Sequence, residues 1–261
     1  MSVAASIPLL KNRIYRYLRE TGSPHKALRE FLNVELKDFD RIAIVGGLVR
    51  DLARRGKVGF RSDIDIVIDG EVEKVTELAR RLGATPNRFG GFGWKSDRWK
   101  IDFWALGTTW ASTNGHVLVA ELSDIPKTTF FDCDAVCYDY RAKTVHASPD
   151  YLPRLRARTI DINLLPNPSV EGNLLRAARR ILLWGFRPGE TLRTFIDDHL
   201  DEASFRSIAG IEAGLFHSPV TQAFDGAAEL KTALLADQLT SLLNTAANEQ
   251  LILPGMRDVR T

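Results

Sequence analysis

The sequence predicts an α+β protein: a mixed sheet with helices over about the first 150 residues, then a helical C-terminal part. Three observations predict it. Strictly alternating apolar stretches, of which SDIDIVID (62–69) is the clearest, read as strands with two different faces. Stretches with apolar residues every three to four positions, such as EVEKVTELARRLG (71–83), are interleaved with them as amphipathic helices. From Gly172 onward the helical spacing dominates.

In chain order, Leu9, Leu10, Ile14 and Leu18 sit at helical spacing across 8–20, and PHKALREFLN (24–33) predicts a second, short helix. RIAIVGG (41–47) alternates and ends in two glycines, a strand running into a tight turn. LVRDLARRG (48–56) follows as a helix stopped by Gly56. After the strand at 62–69, the helix at 71–83 buries Val72, Val75, Leu78 and Leu82 and ends at Gly83. NRFGGFGWKSDRWKIDFWAL (87–106) predicts a hairpin with strands around 91–95 and 98–105. FFDCDAVCYDYRAKTVHAS (130–148) predicts a strand, a turn and a last strand. In PNPS (166–169) two prolines interrupt the pattern, which places a boundary between a domain over 1–168 and a helical domain over 169–261. Within the latter, 204–216 and 221–246 carry amphipathic helical patterns.

Composition narrows the classes. With 261 residues, 44% of them hydrophobic, the chain can bury a sizeable core and is not of the disordered type. No apolar run approaches the roughly 18 residues of a membrane span, and the first 20 residues read as an amphipathic helix, not a signal peptide. Two cysteines, Cys133 and Cys137, are too few for a disulfide framework or a four-ligand zinc site, so a reducing cytoplasm is the expected location. The histidines lack metal-ligand spacing, and no serine sits in a G-x-S-x-G elbow. Charge is unevenly spread. Residues 1–150 carry 23 basic and 20 acidic side chains, and 151–188 carry 7 arginines against Asp161 and Glu171. Residues 189–261 carry 5 basic and 11 acidic ones, so a polyanion is expected to meet the earlier part of the chain.

The chemistry concentrates between residues 42 and 102. On a strand, Asp63 and Asp65 point to one face while Ile64, Ile66 and Ile68 point into the core. Neighbouring carboxylates repel, and a hard divalent cation such as magnesium relieves that repulsion. Asp102 is the lone acid in the apolar strand WKIDFWA, so pairing of the two strands would add a third carboxylate. Three carboxylates can hold two metal ions for displacement at phosphorus. Alone, D-x-D is equally the solvent face of a half-buried sheet. What changes its reading is the element before it. Gly46 and Gly47 end a strand at a helix start, where backbone amides can approach phosphates. Arg50, one turn later, can reach a phosphate oxygen, and Asp51 can orient an arginine.

GGLVRD followed by SDIDIVI resembles the paired motifs of the nucleotidyltransferase superfamily, most closely the head domain of class II CCA-adding enzymes and bacterial poly(A) polymerases. NRFGGF (87–92), KIDFWAL (100–106), FFDCDAVCYD (130–139) and LLRAARRI (174–181) are similar to later, looser segments of that family. The resemblance implies a five-stranded, polymerase beta-like head followed by a helical neck-like domain. It implies two magnesium ions at Asp63, Asp65 and Asp102, phosphate contacts from Gly46, Gly47 and Arg50, and nucleotide-facing arginines at Arg176, Arg179 and Arg180. These three share a helix face by spacing, which is also the pattern of a solvated basic face. The implied reaction moves a nucleoside monophosphate from an NTP to a hydroxyl and releases pyrophosphate. The acceptor is an RNA 3′ end such as that of tRNA, or else a protein or small molecule.

The departures matter too. Thr128, Thr129, Phe130 and Phe131 stand where the family has Arg-Arg-Asp-Phe. Residues 169–173, SVEGN, stand where it has the Glu-Asp-x-x-Arg that reads C and A. Orthodox CCA addition is therefore not expected. The rival reading is a non-catalytic nucleotide- or RNA-binding module derived from such a head. Trp94, Trp99, Trp104 and Trp110 around the hairpin could stack on bases or simply pack it.

Overall fold

The computed structural model describes residues 2–60 and 63–236. They belong to two units, Met1–Ala157 with Asn163–Pro166, and Arg158–Ile162 with the chain from Asn167 on. The chain thus crosses between units three times, twice before the prolines at 166 and 168 and once between them. Asn163 is held to the first unit by its backbone N–H on the Phe130 carbonyl (2.7 Å) and its side chain on the Pro126 and Thr129 carbonyls. Asp161 belongs to the second, where its carboxylate accepts from the Leu192 N–H at 2.8 Å.

In the first unit, α1 (Ile7–Leu18) starts at Ser6, whose hydroxyl caps the Leu9 N–H. α2 (Ser23–Glu30) runs into one wide π-helical turn at Phe31–Glu35, where a simple helix to residue 33 is predicted. Then follow β1 (Ile42–Val45), α3 (Gly47–Arg55), β2 (Ile64–Ile68), α4 (Val72–Leu82), β3 (Thr85–Pro86), β4 (Phe92–Lys95) and β5 (Lys100–Ala105). α5 (Trp110–Thr113), β6 (Val136–Asp139), β7 (Thr144–Ala147) and α6 (Tyr151–Ala157) complete the unit. The strand predicted from residue 130 begins only at Val136. Asp132–Asp134 forms a tight helical turn instead, because both aspartates are drawn to arginines: Asp132 to Arg154 and Asp134 to Arg50.

The strands form one mixed sheet in the order β3-β4-β5-β2-β1-β6-β7, with β2 and β5 parallel and every other pair antiparallel. That is seven strands against the five the resemblance implies, since β3 extends one edge and β7 the other. Register sorts the side chains by face. Ile44, Ile66, Phe103 and Tyr138 are mutual partners on one face, and Val45, Asp65, Asp102 and Cys137 on the other. All four of the first set are essentially sealed from solvent, with Leu10, Ile14, Leu28 and Leu32 in the same unit's core. The second face is covered by a smaller cluster of Ala43, Val67, Leu106, Leu122, Ile125 and Cys137. That cluster meets β2 at Val67, one strand step beyond Asp65.

In the second unit, β8 (Thr159–Ile160) pairs in parallel with β9 (Arg187–Pro188), and α7 (Val170–Trp184), α8 (Glu190–His199), α9 (Glu202–Leu215) and α10 (Ala227–Leu235) are helical as the spacing predicts. Leu174, Ala178, Ile181, Ile196, Ile208 and Leu230 are among its buried residues. The remainder of the last predicted helix, from 237 on, lies outside the described residues. Among those described, no helix is long and apolar enough to cross a membrane.

Candidate active site

The turn between β1 and α3 is built for close approach. Gly46 has φ +63°, a conformation that side chains other than glycine's rarely adopt, and a Cβ there would lie 2.7 Å from the Asp65 Oδ2. α3 starts at the next residue, so its free N–H groups and positive dipole end sit beside that carboxylate. Asp65 pairs in register with Asp102 across the parallel β2–β5 ladder, so both side chains stand on one face. Gly93 on β4 is the partner of Asp102 on the other side. A Cβ at Gly93 would meet the Asp102 Oδ1 at 2.9 Å, so a second glycine makes room for a second carboxylate.

Burial first, then the neighbouring Asp102 and Asp63, push the Asp65 carboxyl up from 3.8 to about 7, against the opposing pull of Lys100 and Arg50. The Asp102 carboxyl is also raised, by burial and then by Asp63, although Lys100 pulls it the other way. Lys100 was not foreseen. Its ammonium lies 2.6 Å from Asp63 Oδ2 and 3.3 Å from Asp102 Oδ2, bridging two of the three acids. Burial alone would lower its pKa, but the two carboxylates outweigh that and raise it. The signal was present as K-x-D: residues 100 and 102 share a strand face, but only the β2–β5 pairing brings Asp63 to the same lysine.

Among the described residues, no three His, Cys, Asp or Glu side chains are gathered into a metal-binding group. The expected tight carboxylate triad is instead an Asp65–Asp102 pair with Asp63 alongside, drawn by Lys100. The donor set nevertheless fits a hard divalent cation. It consists of oxygen only, and Asp65 lacks enough neighbouring positive charge to stay ionised at its ordinary pKa.

Arg50, expected as a phosphate ligand, is engaged within the protein. Its Nε and Nη2 donate to the two oxygens of Asp51, and its Nη1 to Asp134 Oδ1 at 2.8 Å. These carboxylates keep its guanidinium charged in spite of burial. Asp51 does orient an arginine, the one next to it.

No protein-family model and no curated protein matches this chain. Solved structures do. The Thermotoga maritima CCA-adding enzyme complexed with tRNA is similar over 80% of this chain and 48% of its own, at TM-score 0.51 and 19% identity. The fold is that of a CCA-adding-type nucleotidyltransferase head with a helical region. A tRNA-processing enzyme in apo form (TM-score 0.49, 20% identity, 81% of this chain and 56% of that one) and a CCA-adding enzyme with CTP (0.48, 21%, 82% and 48%) are similar as well. The chain spans about half the length of these structures.

The carboxylates and glycines lie in the first unit, whereas Arg176, Arg179 and Arg180 lie on α7 of the second and do not form one open face. Arg176 is exposed and donates to Asn173 Oδ1 at 2.9 Å. Arg179 and Arg180 are buried. Arg179 is ion-paired to the fully buried Glu212 and lies 3.5 Å over the Phe216 ring. The Glu212 Oε2 accepts in turn from the backbone N–H and hydroxyl of Thr221. Arg180 stacks over Trp184. The even spacing misled because α7 is buried on most sides. At its start, Ser169 caps the Gly172 N–H, so residues at the family's base-reading positions serve to begin the helix.

The hairpin tryptophans of the first unit are mostly spent on packing. Trp94 stacks on Phe31, and Trp99 donates to the Pro24 carbonyl while leaning on Phe60. Trp104 occupies the space over Gly91, and Trp110 rests against His116.

Proposed function

We propose that the chain is a metal-dependent nucleotidyltransferase that moves a nucleoside monophosphate from an NTP to a hydroxyl acceptor. One observation carries the reading. Asp65 and Asp102 are register partners, with Asp63 alongside, facing the glycine turn at the start of α3. Asp63, Asp65 and Asp102 would hold magnesium, two ions in the fullest form, which neutralises charge on the phosphates and activates the attacking oxygen. The N–H groups at Gly46 and Gly47 would receive the triphosphate, assisted by the α3 dipole. Asp102, whose pKa is raised, is suited to accept the proton of the attacking hydroxyl. A bond forms between the acceptor oxygen and the α-phosphorus, the α–β bridge breaks, and pyrophosphate departs with the bonding electrons. Arg50, clamped by Asp51 and Asp134, would fix the start of α3 under the triphosphate and act through position. Lys100 has a long flexible stem and is placed to exchange its carboxylate partners for phosphate oxygens when a cation enters.

The acceptor is an RNA 3′ end, or a protein or small molecule. The similar Thermotoga maritima CCA-adding enzyme is complexed with tRNA, which supports an RNA partner without choosing among these acceptors. Incubation with labelled NTPs, magnesium and total RNA decides the matter. Transfer of label that Asp63→Ala and Asp65→Ala each abolish is expected, and the labelled species identifies the acceptor. Nucleotide binding without transfer would instead assign the chain to the non-catalytic module.

A further inference from the structure

A second cluster of the first unit lies away from the carboxylates. α1, α2 with its π-helical turn, and the β6–β7 hairpin border a half-open cavity of about 570 Å³ lined by Tyr15, Arg19, Arg29, Tyr140, Arg141 and Lys143 among others. Tyr138 forms part of its wall and stands on the sheet face opposite to Asp65 and Asp102, as the Ile44–Tyr138 and Val45–Asp65 pairings require. Four cations line this cavity and no acid does.

Their charges are not cancelled locally. Arg29 donates to the backbone carbonyls of Leu18 and Glu20, and Arg141 to those of Phe39, Leu32 and Leu36. These neutral carbonyls fix the two guanidinium groups in place and leave their formal charge intact. Arg19 donates to the Tyr15 hydroxyl and Tyr140 to Asn33. Among the described residues, none of the four cations has a carboxylate partner. Such a set of pre-positioned, uncompensated cations calls for an anion of several charges. Two tyrosine rings, Tyr15 exposed and Tyr140 partly so, lie against these cations, Arg19 and Lys143 over Tyr15 and Arg141 over Tyr140, and a base can stack on the ring surface that the cations leave open. The volume is that of a small-molecule site.

We propose that this cavity binds the phosphates of a nucleotide, with a base stacked on tyrosine, as a site separate from the carboxylate face. The nucleotide is either free or part of an RNA strand, and the assay separates the two sources. Binding of ATP and of a fluorescent single-stranded RNA oligonucleotide is measured on the full chain in EDTA, across a salt series, for wild type, an Arg19→Glu/Lys143→Glu double variant and a Lys74→Glu/Arg80→Glu control. The double variant is expected to lose about tenfold or more in affinity for at least one probe and to show a shallower salt slope, while the charge-matched control, on the exposed side of α4 and outside both sites, binds like wild type. A loss confined to the oligonucleotide assigns a strand; a loss for ATP assigns a free nucleotide. Lys143→Gly guards against misfolding. Lys143 has φ +55°, which glycine adopts without strain, so this variant removes a charge without loading the backbone. Unchanged affinity of both folded variants for both probes would overturn the proposal. Failure of label transfer in the earlier experiment would leave this outcome untouched.

Discussion

Asp65 shows how one side chain can be both legible and surprising. Its alternation with Ile64 and Ile66 reveals a carboxylate on the non-core face, but how strongly that carboxylate resists ionisation depends on Asp102, 37 positions away in sequence and adjacent in the ladder. The consequence is measurable. A carboxyl that titrates near 7 when folded and at 3.8 otherwise binds its proton more tightly in the native state. Stability then falls as pH rises from about 4 to about 7 and stays low above that. Asp65→Asn should therefore be more stable than wild type in EDTA at pH 8, by up to about 4 kcal/mol, with the gain vanishing near pH 4. Equal melting at both values would mean that Asp65 is not destabilised by its neighbours. Lys100, in contrast, left only the weak K-x-D spacing in the sequence as a sign of its role. A lysine two residues from an aspartate is commonplace, and its second partner arrives only through strand pairing.

At the scale of elements, the β1–α3 turn is where the sequence spoke most clearly. A strand ending in two glycines before a helix needs a backbone that turns sharply, and Gly46 does so at φ +63° with Asp65 in the space a methyl would need. Gly46→Ala should cost about 2 kcal/mol of stability, read from denaturant titration, and abolish nucleotide transfer. Gly83→Ala is the matching control. Its φ is +65° with no neighbour within 4 Å of the added methyl, so it should lose stability through backbone strain alone and keep transfer. Similar loss of transfer in both would remove the special role of the turn. Elements without local punctuation were misread. The π-helical turn at Phe31–Glu35 and the tight turn at Asp132–Asp134 carry patterns that fit a longer helix and a longer strand, and distant arginines and packing overrule them.

Over the whole molecule, selectivity among bases should be weak. The residues at the family's base-reading positions are occupied with starting α7: Ser169 caps it and the buried Asn173 accepts from Arg176. A site without a hydrogen-bonding pair for the base edge gives up the large discrimination such a pair provides. Competition among labelled ATP, CTP, GTP and UTP should therefore give transfer rates within about a hundredfold of one another. A strict preference for C and A would show that other residues read the base. The sequence by itself determined the order of elements, the α+β class, the glycine turn and the three acids, because periodicity and turn chemistry act over a few residues. Only the tertiary structure decided that Asp65 and Asp102 are partners, that Lys100 bridges Asp63 to Asp102, and that Arg50 and Arg179 are consumed by Asp134 and Glu212. Charges pair through space, and the strand and helix contacts that set those distances join residues that no local pattern connects.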